Sequence, residues 1–237
     1  MKREYGRAAR SLRPIAIEKS FLKNAHGSAL ISWGGTRAIC SAMYAAGVPP
    51  FLEGTGKGWL TAEYAMLPAS TPSRKPRELR RPDGRSTEIG RLIGRCLRSV
   101  VNLQALSGFT IHVDCDVLDA DGGTRTACIT GAYVALRECV DSMTGESLIA
   151  QNPVLDGITA VSCGIVDGEI LLDLDYGEDS RAAADINIVM AHGGGIVEIQ
   201  GTGEKRPFLR AELTKILNLS GKANLEIQKI QEEALKA

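Results

Sequence analysis

Residues 109–126 carry the pattern that most narrows the fold. Phe109, Ile111, Val113, Cys115 and Val117 alternate with Thr110, His112, Asp114 and Asp116, the period-two signature of a strand with one buried face. The chain then breaks at Gly122-Gly123 and enters an apolar series at helical spacing, Ile129, Ala132, Leu136, Cys139 and Met143. A one-faced strand delivered through two glycines into a helix demands a sheet with helices packed on it. The flanks agree. Residues 28–43 alternate on both sides of Gly34-Gly35, which predicts a hairpin of two strands. Ile89, Leu92, Ile93, Cys96, Leu97, Val100 and Val101 predict an amphipathic helix whose other side carries Arg91, Arg95 and Arg98. Residues 157–166, 169–176, 186–191 and 196–200 read as strands, and a terminal helix is expected from about residue 209. The expected class is α+β, helices packed on a mixed, largely antiparallel sheet. At 237 residues, one domain spanning 1–237 is expected.

Several function classes drop out. No apolar run approaches the roughly 18 residues of a spanning helix, and the charged start lacks an apolar segment behind it, so neither membrane insertion nor export is expected. The six cysteines form no C-x-x-C and sit in apolar contexts, which suits buried thiols in a reducing cytoplasm. Three scattered histidines offer no zinc framework. Gly54, Gly56, Lys57 and Gly58 imitate a phosphate loop, but Phe51 and Gly58 occupy positions that need Gly and Ser or Thr. His192-Gly193-Gly194-Gly195 and the segment around Ser162 imitate a serine hydrolase, yet a strand follows Ser162 and the glycines come after it, the wrong order.

Net charge is zero, but the charges are segregated. Residues 74–98 hold eight arginines and one lysine against Glu78, Asp83 and Glu88; residues 73–85, rich in Pro and Arg, read as a loop. Asp167, Glu169, Asp173, Asp175, Glu178, Asp179, Asp185, Glu198 and Glu204 face a single Arg181. Such runs are commonly solvated faces. The excess of arginine, whose planar fork suits phosphate, makes nucleic acid or another polyphosphate the leading anion.

Two constellations could do chemistry. In residues 121–126 the glycines turn the chain, the helix terminus offers unpaired N–H groups, and Arg125 adds a forked charge, together an anion site. A plain strand-to-helix turn with a Thr cap accounts for the glycines and Thr124 but leaves Arg125 unexplained. Asp173 and Asp175 read as one face of a strand; Asp179 and Asp185 flank a single connection and could hold a divalent cation or share a proton. The alternative stays open that Asp179 caps a short turn and Asp185 is a strand-end charge.

These residues resemble the ribonuclease PH family over nearly the whole chain, from Gly6 to about Phe208. The segments that carry the likeness are GKGWLTAEYAMLP (56–68), GRSTEIGRLIGRCLR (84–98), DCDVLDADGGTRTACITGA (114–132), DLDYGEDSRAAADINIVM (173–190) and EIQGT (198–202). The resemblance implies a β-α-β fold shared with exosome ring subunits, and a phosphate-dependent 3′→5′ exoribonuclease that trims tRNA 3′ ends and releases nucleoside 5′-diphosphates. It implies a phosphate site at Arg85, Gly123, Thr124 and Arg125, and a pair, Asp179 and Asp185, for catalysis and for Mg²⁺ or Mn²⁺. Arg74, Arg77, Arg80 and Arg81 would grip single-stranded RNA. A cytoplasmic homohexamer, a trimer of dimers, is the implied assembly, with neither membrane nor DNA as a partner. A non-catalytic RNA-binding ring subunit is the rival, and Arg125, Asp179 and Asp185 discriminate against it. The chain departs from the family pattern at Ala69, Thr87, Gly90, Gly203 and Lys205, none of them expected to touch the phosphate or carboxylate residues.

Overall fold

The computed structural model describes residue 3, residues 6–77 and residues 83–237. β1 (Ile15–Lys19), β2 (Gly27–Trp33) and β3 (Thr36–Ala46) are antiparallel neighbours. Trp33 pairs with Thr36, so the hairpin turns at its two glycines, Gly34 taking a φ of 57° that costs glycine little. β4 (Trp59–Met66) and β5 (Phe109–Asp119) complete a five-stranded sheet in the order β1-β2-β3-β5-β4, in which β4 and β5 run parallel. β1 and β4 had no strong signature. β1 has only five residues, and in β4 only Leu60 and Tyr64 are fully buried.

α1 (Gly84–Arg98) crosses from β4 to β5. It begins earlier than its apolar stripe suggests, because the Asp83 carboxylate accepts a hydrogen bond from the Ser86 N–H at 2.6 Å and caps the first turn. The expected loop therefore stops at Asp83, and Arg85 is helical. Gly90, one of the departures, lies where the helix meets β4: a Cβ there would come within 2.9 Å of the Ala62 carbonyl oxygen.

α2 (Thr124–Gly145) packs on β2 and β3 and, across its other side, on β6 (Ile158–Val166). With β7 (Glu169–Leu172), β8 (Ala184–Ala191) and β9 (Ile196–Thr202), β6 forms an antiparallel sheet in the order β7-β6-β8-β9. Between β7 and β8 lies the short α3 (Tyr176–Asp179), and α4 (Arg210–Lys236) packs on β6 and β1. Every residue of β6 is buried, which fits a strand with a helix on each side. A continuous apolar cluster joins Ile31 and Val113 of the first sheet to Ile158 and Ile186 of the second and to Ile216 and Ile227 of α4. All six cysteines are buried and unbridged. Three of them, distant in sequence, meet: the sulfurs of Cys40, Cys115 and Cys128 lie within 4.8 Å of one another.

One strand expectation is corrected. The strand expected at 169–176 ends at Leu172; Asp173 takes a left-handed φ of 57°, and Asp175 caps α3, accepting from the Glu178 N–H at 2.8 Å. Asp173 and Asp175 do not share a strand face. Among the described residues no helix is long and apolar enough to cross a membrane.

Candidate active site

The acids that sequence patterning groups together are divided by the fold. Asp173 accepts from Arg13 through the backbone N–H (2.6 Å) and the guanidinium (2.7 Å), and from the Trp33 indole N–H at 2.9 Å. Glu178 is held by Arg3 in a two-pronged pair at 2.6 and 2.7 Å, and Arg7 reaches Asp175 at 3.3 Å. These side chains are nearly sealed from water. The tract is therefore not one solvated acidic face: three of its members are already neutralised by arginines 160 or more residues away. Glu198 is likewise paired, with Arg95 at 2.8 Å.

The same network shapes the turn before α2. The Arg13 guanidinium donates to the Asp121 carbonyl, and Thr36 Oγ1 donates to the Gly122 carbonyl at 2.7 Å. Gly122 and Gly123 both have positive φ (73° and 65°), and a Cβ on Gly122 would lie 2.6 Å from the Leu174 carbonyl oxygen. Only glycine allows the turn to press against the loop that carries α3. The N-cap of α2 is Gly123, with no side chain to satisfy the helix's first N–H groups. Thr124 is not the cap. Its Oγ1 instead accepts from the Tyr64 hydroxyl at 2.9 Å.

This uncapped terminus opens on a cavity of about 1060 Å³ lined by Arg85, Gly123, Thr124, Arg125, Asp179 and Asp185, all six of the sequence-derived phosphate and carboxylate residues. Arg125 projects from the first turn of α2, where one guanidinium N–H donates to the Gln200 side-chain oxygen at 2.9 Å while its buried Nε has no partner among the described residues. Asp185, near the start of β8, is pushed up to about 6 by burial and then by the charge of Asp179, against the opposing pull of Arg125 and an Asn187 side-chain hydrogen bond at 3.4 Å. Asp179 also sits above its ordinary value, because desolvation outweighs the attraction of Arg85 and Arg125. Two carboxylates that repel each other in a desolvated cavity are hard oxygen donors of the kind that fits Mg²⁺ or Mn²⁺.

Arg74 and Arg77 are exposed and do not line the cavity, although Lys75 between them does. Arg80 and Arg81 lie outside the described residues. The departures at Gly203 and Lys205 are closer to the site than expected, since Glu204 and Lys205 both line the cavity. Sequence reasoning missed Lys75, Asn187, Gln200 and Lys205 as site residues; Asn187 lay within the 173–190 segment and Gln200 within EIQGT, the signals that were available. Ser162 is buried in β6 and accepts from the Leu174 N–H at 3.1 Å, a structural role.

Two family profiles match this chain in order: "3′ exoribonuclease family, domain 1" over residues 11–140 and "domain 2" over residues 156–223. The chain belongs to the ribonuclease PH family of 3′ exoribonucleases. Similar curated proteins include ribonuclease PH of Moorella thermoacetica, 52% identical over 99% of this chain and 95% of that protein. Ribonuclease PH of Methylobacterium radiotolerans is 49% identical over 97% of this chain and 98% of the relative. The ribonuclease PH fold also matches a solved structure, an Archaeoglobus fulgidus exosome with RNA bound to its active site. There the identity is 24% and the TM-score 0.84, over 96% of this chain and 92% of the other.

Proposed function

We propose that the cavity carries out phosphorolysis at the 3′ end of RNA, tRNA precursors above all, with inorganic phosphate as nucleophile. The observation that carries this reading is a single cavity with cations and an uncapped helix terminus in its walls together with a desolvated carboxylate pair. An oxygen of inorganic phosphate attacks the phosphorus of the terminal phosphodiester; the bond from that phosphorus to the 3′ oxygen of the preceding nucleotide breaks, and a nucleoside 5′-diphosphate leaves. Two anions must approach for this to happen. Arg85, Arg125 and the first N–H groups of α2 hold the attacking phosphate and offset the repulsion.

Asp185 is the acid that donates the proton the departing 3′ oxygen needs; in the metal-free cavity burial and the charge of Asp179 raise its titration. Asp179 and Asp185 are the residues that would hold Mg²⁺ or Mn²⁺, which when bound would neutralise charge on the reacting phosphoryl group. Tyr176, 63% exposed at the cavity wall, offers its ring to the terminal base. Arg74, Arg77, Arg80 and Arg81 hold the strand upstream, and six copies in a ring, a trimer of dimers, repeat that basic segment around the RNA. The non-catalytic alternative is disfavoured because Arg125, Asp179 and Asp185 all line the one cavity.

The test is to incubate a 3′-extended tRNA with Mg²⁺, with and without inorganic phosphate, and identify the products. Nucleoside diphosphates that appear only with phosphate are expected; monophosphates would overturn the mechanism. Light scattering should report a mass near six subunits.

A further inference from the structure

We infer that Gln200 is a positioning residue that, held by Glu88, aims the Arg125 guanidinium at the nucleophile; the inference rests on the phosphate-site reading above. Three elements meet here. Arg125 on α2 donates through Nη1 to Gln200 Oε1 at 2.9 Å, Gln200 on β9 donates through Nε2 to Glu88 Oε1 at 2.5 Å, and Glu88 stands on α1. The other Glu88 oxygen lies 3.8 Å from Arg125 Nη2.

The direction of the relay follows from the chemistry of the partners. A carboxylate only accepts, so Glu88 draws the amide nitrogen of Gln200 toward itself and leaves the amide oxygen facing Arg125. That oxygen engages Nη1 alone. Among the described residues Nε is buried without an acceptor, and Arg125 lines the cavity. A flexible side chain is thereby fixed at one end of its fork while the other donor is kept for an anion, the arrangement that bidentate phosphate recognition needs. Glu88 at 3.8 Å is too distant to replace the ligand but close enough to keep the guanidinium from turning away.

Three variants test the relay by steady-state phosphorolysis of a short 3′-tailed RNA, with phosphate and RNA varied in turn. Gln200→Leu should raise the phosphate KM about tenfold while the RNA KM stays within about twofold. Glu88→Ala should raise it severalfold, because the amide is then free to flip. Glu88→Gln should resemble the parent, since an amide oxygen can still accept from Gln200. Glu88 is exposed on a helix, so its variants keep the test open if Gln200→Leu folds poorly. A phosphate-dependent parent with an unmoved phosphate KM in Gln200→Leu and Glu88→Ala, a parallel rise in RNA KM, or equal damage from Glu88→Gln and Glu88→Ala would overturn the relay alone. A parent indifferent to phosphate would overturn the reading beneath it as well.

Discussion

Glu178 and Asp179 are neighbours in α3, and one residue separates a closed ion network from the open cavity. Burial by itself would raise Glu178, but the Arg3 hydrogen bonds, the Asp175 N–H and the charges of Arg3 and Arg7 carry it below the ordinary carboxylate value. Asp179 moves the other way, as does Asp185. The arginines divide alike: the Arg13 side chain is 1% exposed with its fork engaged, whereas Arg125 is 19% exposed with Nε unpartnered among the described residues. The two regions teach that acidity in the sequence does not mark function. A carboxylate that the fold supplies with an arginine stiffens a turn; one that it desolvates against another carboxylate is left to a ligand or a proton.

The sharpest break between the regions is catalytic. Asp185→Asn should lower turnover by about 10²–10⁴, the usual contribution of a positioned acid, without unfolding the protein. Single-turnover phosphorolysis and a melting curve read both. Asp173→Asn should do the reverse kind of damage. It leaves the buried Arg13 charge facing a neutral amide and should cost about 3–5 kcal/mol of stability in urea denaturation. A well-folded Asp173→Asn together with a collapsed Asp185→Asn would erase the distinction drawn between the two regions.

Smaller effects sharpen it. Arg125→Ala or Arg85→Ala removes a charge-assisted contact of roughly 1.5–3 kcal/mol and should appear chiefly in the phosphate KM, with RNA affinity little changed. The stability difference between Asp185→Asn and the parent should also depend on pH. Because Asp185 titrates near 6 when folded and its ordinary value is 3.8, its contribution is fully present below about 3.8 and is lost as the pH rises through about 6. In chelator at pH 8 the Asn variant should therefore be more stable than the parent by about 3 kcal/mol, and the gain should fade toward pH 4. Least of all, Arg74→Ala with Arg77→Ala should flatten the salt slope of single-strand RNA binding by about 1.4 units, near 0.7 for each lost phosphate contact. A larger change would place these arginines in the cavity.

What the sequence determined by itself was local. The glycine pair of the hairpin, the alternating strand at 109–119, the Gly-Gly entry into α2 and the terminal helix all follow from periods and turn residues acting within a few positions. Gly123, Thr124 and Arg125 follow from that Gly-Gly entry and Asp179 with Asp185 from the connection they flank, whereas Arg85 was named only by what the family resemblance implies. The ends of elements were less legible: the cap at Asp83 made Arg85 helical, and Asp173 broke a strand that its alternating neighbours would have continued. Only the tertiary structure decided which charges cancel. Arg3, Arg7 and Arg13 find Asp173, Asp175 and Glu178 across 160 or more residues, Gln200 finds Arg125 across 75, and Lys205 reaches the cavity from a loop. No period or spacing encodes such meetings, because they depend on how two sheets close around α2, and it is that closure which seals one set of charges and leaves the other facing a ligand.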